Sequence, residues 1–425
     1  MAKTSLEVVA FVLGGGVGKR LYPLTKDRAK PALPFGGSYR VIDFVLSNLI
    51  HSRIRKIYVL TQYEPRSLEQ HILEGWGSIF GTGRYNMIRL LSAKEGKGSG
   101  WYTGTANAIN QNKRYAWESR PDIVNIFGGD HIYLMDISSM NDFHVLNNAD
   151  LTVSAIPVKI ELAAKKYGVL AVDSKWKLTN FQEKPEKPAP MPGNSDYCLA
   201  SMGNYSFNLQ VLIEELAIDH HKKTTPSKEL ISSDPEHYSS HDFGNDVIPA
   251  MLRRKRNIFI YNFNENTVTG ASPNEKSYWR DIGDLGQFYE ANMDLIGPNP
   301  SINLYNPRWE IFTRFESLQP VKLIGSSSNI NNCLISNGCI IESCLITKSI
   351  LSYNVRVGDG TEISDSLLLG NNIIGTRTII RSSIIDRGIF IPDNTVIGLD
   401  RDHDLKRGFT VSKEGITVVP RKYRF

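Results

Sequence analysis

An α/β fold, with a Rossmann-like, mostly parallel sheet followed by a C-terminal left-handed parallel β-helix, is what this sequence of 425 residues predicts. Three observations carry it. Strand-like apolar runs alternate with helical patterns from Leu6 to about Leu295. The stretch Gly297-Pro298-Asn299-Pro300-Ser301 then breaks the last helix. Beyond it, apolar residues recur at every sixth position. The length exceeds a single typical core, so two domains are expected, residues 1–296 and 321–425, joined by a linker over 297–320.

The first strand is the apolar run Val8 to Val12, which opens into Leu13-Gly14-Gly15-Gly16-Val17-Gly18-Lys19-Arg20-Leu21. Four glycines at the end of a buried strand let the backbone turn tightly and bring its N–H groups against a phosphate, while Lys19 and Arg20 add cationic donors. The stretch fits neither common nucleotide template. A P-loop needs glycine where Leu13 stands and a hydroxyl residue where Leu21 stands, and the dinucleotide fingerprint needs glycine in place of Lys19. A turn with nothing bound is the competing reading for the glycines alone, and the residues that follow, Pro23, Leu24, Thr25, Arg28, Lys30 and Pro31, weigh against it. Because Lys30 precedes proline, it is expected to be extended.

Further along, Val41 to His51, Ser67 to Leu73, Thr105 to Trp117 and Leu209 to Leu216 read as helices, and Lys56 to Thr61, Ile123 to Phe127 and Leu151 to Pro157 as buried strands. Ligands of such sheets sit beyond the carboxyl ends of the strands. The glycine loop, Gln62 and Asp130 all fall there. Thr105 opens a helix whose N–H groups are candidates to meet phosphate.

The stretch to Pro320 adds Pro307 and reads as a linker wrapping between the domains. After it, Ile373, Ile379, Ile385, Ile391 and Ile397 recur every sixth residue, and Val357, Ile363 and Leu368 continue the series upstream with shortened steps on either side of Leu368. A six-residue apolar period marks a parallel β-helix whose stacked coils bury an aliphatic column, whereas a β-sandwich would show period-two strands at irregular spacing. Such a coil alone suggests an acyltransferase. A catalytic histidine would then be expected among the repeats, and the segment holds only His403, past the last regular coil.

Hydrophobic residues at 41% and charged residues at 22% describe a globular chain rather than a disordered one. The net charge of +5 suits phosphorylated substrates without pointing to nucleic acid. Arg253-Arg254-Lys255-Arg256 follows the helix-like DVIPAML and reads as a solvated helix end. No apolar stretch approaches the ~20 residues of a membrane span, and no signal-peptide core precedes the first strand, so a cytoplasmic protein is expected. Cys198, Cys333, Cys339 and Cys344 form no Cys-x-x-Cys pair and read as buried thiols.

The run GGGVGKRLYPLTKDRAKPALPFGG, Gly14 to Gly37, resembles the signature loop of the sugar nucleotidyltransferases, and within them that of the glucose-1-phosphate adenylyltransferases, also called ADP-glucose pyrophosphorylases. YRVIDFVLSN from Tyr39, TQY from Thr61, WYTGTANA from Trp101, GGDHIY from Gly128, FQEKP from Phe181, ASMGNYSF from Ala200, SHDFGNDVIP from Ser240 and YWRDIG from Tyr278 extend the likeness over most of the chain, in order. The resemblance implies transfer of the adenylyl group of ATP to glucose 1-phosphate, giving ADP-glucose for glycogen or starch and releasing pyrophosphate. Magnesium bridging the phosphates is the implied cofactor.

By the same resemblance, Asp130 and Asp281 match the metal-binding aspartates, Gly14, Gly15 and Gly16 wrap the nucleotide, Lys19 and Arg20 meet its β- and γ-phosphates, and Lys30 lies near the reacting centre. Gln62, Trp101, Tyr102, Gly104 and Thr105 fall near the adenine. Glu183 and Lys184 match the glucose 1-phosphate motif, the carboxylate for sugar hydroxyls and the ammonium for phosphate. Gly168, Ser201, Tyr205, Asp242 and Trp279 match further sugar-site positions, with Gly168 admitting the ring where a side chain would clash. The set expected to carry the chemistry is Arg20, Lys30, Asp130, Lys184 and Asp281.

Departures matter too. Many bacterial relatives have Ala at Gly14 and Arg or Thr at Val17, both mild changes, since neither removes a backbone donor. Relatives activated by fructose 1,6-bisphosphate carry a lysine where this chain has Asp27, and an acid cannot serve that anion. The tail EGITVVPRKYRF instead resembles that of phosphoglycerate-activated members, which makes Arg421 and Lys422 regulatory candidates for anionic sugar-phosphate or phosphoglycerate effectors, although Pro420 and Arg421 disturb the match. A homotetramer is expected, with a mixed tetramer as the alternative, and neither nucleic acid nor membrane is an expected partner. Two other readings stay open: transfer of another nucleotide or to another hexose phosphate, and a weakly active regulatory subunit of a mixed assembly, against which the retention of Lys30, Asp130, Lys184 and Asp281 argues.

Overall fold

The computed structural model describes residues 6–80, 86–93, 100–272 and 277–425. The first five residues, on which the absence of a signal-peptide core partly rests, lie outside them. The strand Val8–Leu13 is central and parallel to both Lys56–Thr61 and Ile123–Gly128, and Met87–Ser92 extends this side, also parallel. Five of the six residues in Lys56–Thr61 are buried, as a fully covered parallel strand requires. The long strand Tyr197–Asn208 reverses direction against Ile123–Gly128, Leu151–Lys159 and Gly168–Val172, making the whole a mixed sheet of nine strands. Its register slips between Ser201 and Tyr205, where Gly203 takes a positive φ of 70°.

Helices cover both faces. Val41–His51 forms over the range read from the sequence and buries ten of its eleven residues. Thr105–Ser119 and Leu209–His220 run longer than expected, and Ser67 to Leu73 becomes Arg66–His71 followed by a π-helical stretch to Trp76. Lys30 is not extended. It begins the 3-10 turn Lys30–Ala32, and the extended residue is Ala29 (ψ 146°), one position earlier, because proline at the second place of a short turn presets the backbone angle that the turn needs. Arg254 and Arg256 are tied to Glu215, a fully buried carboxylate, so the basic cluster is only partly solvated.

The stretch after Ile296 lies along the first helix: Trp309 Nε1 donates to Asn48 Oδ1 at 3.0 Å and Thr313 Oγ1 to Asp43 Oδ2 at 2.6 Å. Beyond it, three sheets, parallel except where Thr410–Val411 meets Thr417–Val419, stack into the left-handed β-helix, and in its middle coils the partners are 16 or 17 residues apart, such as Val357, Ile374 and Ile391 on one face. The buried column contains Val357, Ile363, Leu368, Ile385, Ile391 and Ile397, but at two steps the expected residue is displaced by one. Ile373 is 47% exposed and Ile379 half-buried, while Ile374 and Ile380 point inward. In a strand, neighbours face opposite ways, so in an Ile-Ile pair only one member can enter the column.

The third sheet has both faces covered. Leu351, Leu368, Ile385 and Val419 fill the coil interior, whereas Ile350, Leu367, Ile384 and Val418 pack in one cluster with Phe35, Ile282, Leu285 and Phe288 of the first half. Cys198, Cys339 and Cys344 are buried thiols and Cys333 only partly so, all without disulfides, and burial pushes each thiol pKa up. Among the described residues no helix is long and apolar enough to cross a membrane.

Candidate active site

The glycine loop leaves the central strand at the carboxyl end of the sheet. Gly14 is still part of it, its N–H donating to Leu60 O at 2.8 Å, so this amide cannot meet a ligand as expected. The amides of Gly15, Gly16, Val17 and Gly18 have no hydrogen bond among the described residues. Gly18 adopts φ 64° and is held by Thr25 Oγ1 donating to its carbonyl at 2.8 Å. Lys19 and Arg20 follow, exposed and free of ion pairs among the described residues. Consecutive free N–H groups beside two cations form an anion cradle.

Two adjoining cavities share Leu13, Gly16 and Asp130. One, of about 290 Å³, is lined by Gly14, Gly16, Lys19, Arg20, Lys30, Asp130 and Gly283. The other, of about 460 Å³, is lined by Gly15, Gln62, Tyr102, Gly104, Thr105, His131, Tyr205 and Asp242. Gln62 clamps the backbone of Tyr102, its Oε1 accepting from Tyr102 N at 2.6 Å. Trp101 is 45% exposed and lines neither cavity.

Two of the first-turn amides of Thr105–Ser119 are not free to meet a phosphate. Ala106 N and Asn107 N donate to His241 O, Thr105 Oγ1 donates to Asp242 Oδ2 at 2.8 Å, and a Cβ on Gly104 would stand 2.3 Å from His241 O. Asp242 in turn accepts from Gly244 N and Asn245 N. The SHDFG segment is therefore locked to the start of the helix Thr105–Ser119, which neither motif reveals alone.

Asp130 follows the strand Ile123–Gly128, and Asp281 reaches it through a two-stranded ribbon in which Trp279–Asp281 runs antiparallel to His131–Tyr133. Lys30 Nζ lies 2.7 Å from Asp130 Oδ2 and 3.3 Å from Asp281 Oδ1. His131, which the sequence reading passed over, places Nε2 3.4 Å from Asp130 Oδ1. A ligand atom of Asp130, His131 and Asp281 can be chosen so that all three lie within 4.8 Å of one another. These are the donors a divalent cation takes, and the Lys30 ammonium is a cation already seated among them, so the site fits a metal. Burial opposes the ionisation of Asp130, but the charges of Lys30 and His131 outweigh it and hold the carboxyl below its usual range. Lys30, whose charge burial also disfavours, is nonetheless kept above its ordinary pKa by the two aspartates. A histidine directly after a strand-end aspartate was the signal available for His131.

The other expected sugar-side residues gather around the strands Gly168–Val172 and Leu178–Glu183, where Glu183 stands across from Gly168. A Cβ on Gly168 would meet Phe181 at 3.0 Å and Glu183 Oε2 at 3.2 Å, so this glycine makes room for its own neighbours. Lys184 has φ 48° and its Nζ lies 3.0 Å from Glu183 Oε1. Trp279 stacks edge-on against Tyr167 and His131 at ring distances of 5.5 and 5.4 Å. Ser201 and Tyr205 flank the register slip, and burial pushes the Tyr205 phenol pKa up. Arg421 and Lys422 lie away from the cleft, Lys422 Nζ 2.8 Å from Asp27 Oδ2.

The family model described as nucleotidyl transferase matches residues 9–297, and one described as the GlmU-like C-terminal hexapeptide matches residues 320–419. The chain is 42% identical to the glucose-1-phosphate adenylyltransferase of Trichlorobacter lovleyi over 98% of this chain and 97% of that one. It is 42% identical to the enzyme of the same name from Geobacter metallireducens, over 97% and 96% of the two chains. For that from Anaeromyxobacter the values are 41%, 98% and 99%.

Proposed function

The chain belongs to the nucleotidyl transferase family and, within it, to the glucose-1-phosphate adenylyltransferases, and we propose from this premise how its residues transfer the adenylyl group of ATP to glucose 1-phosphate. An oxygen of the sugar phosphate bonds to the α-phosphorus, the bond from that phosphorus to the bridging oxygen breaks, and pyrophosphate leaves with the electron pair. Two anions must approach, so alignment and charge neutralisation supply most of the rate. The observation that carries the reading is Lys30, Asp130 and Asp281 meeting where the glycine cradle opens.

The amides from Gly15 to Gly18, with Lys19 and Arg20, hold the β- and γ-phosphates. Gln62 and Tyr102 form the wall beside the adenine. Glu183 accepts sugar hydroxyls and Lys184 takes the sugar phosphate as a point charge. Asp130 and Asp281 would hold a magnesium ion, which would supply neutralisation of the phosphate charge. Lys30 steadies the reacting phosphate.

ADP-glucose from such a reaction feeds glycogen or starch synthesis, in the cytoplasm. Anionic effectors belong to the same reading and would act between the two halves, near Arg421 and Lys422, where Arg40, Arg314 and Arg387 also line a cleft. A homotetramer fits the apolar residues left on the outer faces of the coil, Ile373, Phe390 and Val396 among them. Pyrophosphate release from glucose 1-phosphate, measured with each of the four common nucleoside triphosphates, tests the proposal: ATP should far exceed the rest, and equal rates or none would overturn it.

A further inference from the structure

We propose that in the free enzyme the Lys30 ammonium occupies the cation seat between Asp130 and Asp281, and that a divalent cation enters only as this ammonium leaves for the polyphosphate. The proposal rests on the metal role given to the two aspartates above.

Lys30 donates to both carboxylates, at 2.7 and 3.3 Å, and is only 9% exposed. Its backbone is set by Pro31, which follows it in the turn Lys30–Ala32. It is thus a lodged counter-ion. Without it, two carboxylates would face each other in a partly desolvated cleft, which is costly unless one takes up a proton.

A hard divalent cation seeks carboxylate oxygens at ~2.1 Å and so competes for the carboxylate pair that the ammonium now holds. Two cations on the same oxygen pair repel strongly where the effective dielectric is low. The lysine therefore has to yield, and it has somewhere to go. Lys30 and Asp130 line the same cavity as Gly16, Lys19 and Arg20, so polyphosphate oxygens seated in the cradle offer the ammonium a charge-assisted replacement partner. Cation and nucleotide then bind cooperatively, because each removes what holds the other back. Cation alone binds weakly, since it must expel Lys30 into a cleft with no anion.

Manganese binding to the full chain, followed by the electron paramagnetic resonance signal of free Mn²⁺, tests this without any turnover. In the absence of nucleotide, Lys30→Met should tighten Mn²⁺ binding by ~10-fold or more, on the scale of a coupling between ligands, and Asp130→Asn added to it should abolish the gain. With the non-hydrolysable analogue α,β-methylene-ATP present, wild type should approach the variant's affinity. Lys30→Gln, which keeps a polar side chain, serves as a second variant, and thermal unfolding establishes that both are folded. Unchanged or weaker Mn²⁺ affinity in the folded variants, while wild type with the analogue still binds Mn²⁺ in an Asp130-dependent way, overturns the exchange and leaves the metal role standing. Loss of Asp130-dependent Mn²⁺ binding under every condition overturns both.

Discussion

Asp281 stands directly across from His131 in the ribbon formed by Trp279–Asp281 and His131–Tyr133, one residue beyond Asp130. Each strand has three residues. This pairing brings two motifs that are far apart in the sequence to one point, and both carboxylates then close on Lys30. Ile282, the next residue, is buried in the cluster that the third coil face also enters. The carboxylate that completes the site is thus fixed by the junction between the two halves.

If Asp130 and Asp281 together hold the cation, Asp130→Asn should lower kcat by ~100-fold or more, the scale of losing a preorganised electrostatic group, while the fold persists. Steady-state kinetics at saturating magnesium, with circular dichroism on the same sample, check it. Near-normal turnover would remove Asp130 from the metal site.

Lys184 is half exposed and touches Glu183 rather than the glycine cradle. Lys184→Ala should therefore raise KM for glucose 1-phosphate and leave KM for ATP nearly unchanged. Varying each substrate at saturation of the other separates the two. Equal weakening of both would put the lysine on the nucleotide or in the folding of the strand end.

Much of this was legible in the residues, and what was not has physical causes. The helix Val41–His51 and the strand Lys56–Thr61 could be read because each is an apolar pattern long enough to show its period. The ribbon carrying Asp281 could not, since three residues have no period. The use of the Thr105 helix amides by His241 is a tertiary contact between segments that look independent. In the coil, the six-residue repeat was right while the member of each Ile-Ile pair that enters the column was not fixed by the spacing. Ile384-Ile385 is apolar because both faces are covered, one by the coil and one by the first half, whereas Ile373-Ile374 has one face in solvent.

That difference gives a paired prediction. Ile385→Asp places an unpaired charge in the closed column and should cost several kcal/mol, disrupting stability and assembly together. Ile373→Asp, on the outer face, should leave thermal unfolding of the isolated chain nearly unchanged. Calorimetry with light scattering reads both, and a stable Ile385→Asp protein of wild-type mass would contradict the placement of the column.

Regulation follows from the contact between Asp27 and Lys422. The hydrogen bond from Lys422 holds the Asp27 carboxyl below its usual range, although both side chains reach solvent. Asp27 thus already offers a negative charge to the tail, and its own charge repels a second anion. Fructose 1,6-bisphosphate should then be a poor activator, and 3-phosphoglycerate or a similar monophosphate a better one. An effector activates only by favouring the active arrangement, with a coupling typically of ~1 to 3 kcal/mol. Lys422→Ala should weaken the response to the monophosphate, and Asp27→Lys, which restores positive charge beside Arg421 and Lys422, should raise the response to the bisphosphate. Titrating both effectors against wild type and the two variants at subsaturating substrate decides it. Strong bisphosphate activation of wild type that Lys422→Ala leaves untouched would mean that the effector binds elsewhere, because an anion lodged near this pair cannot be indifferent to losing its cation.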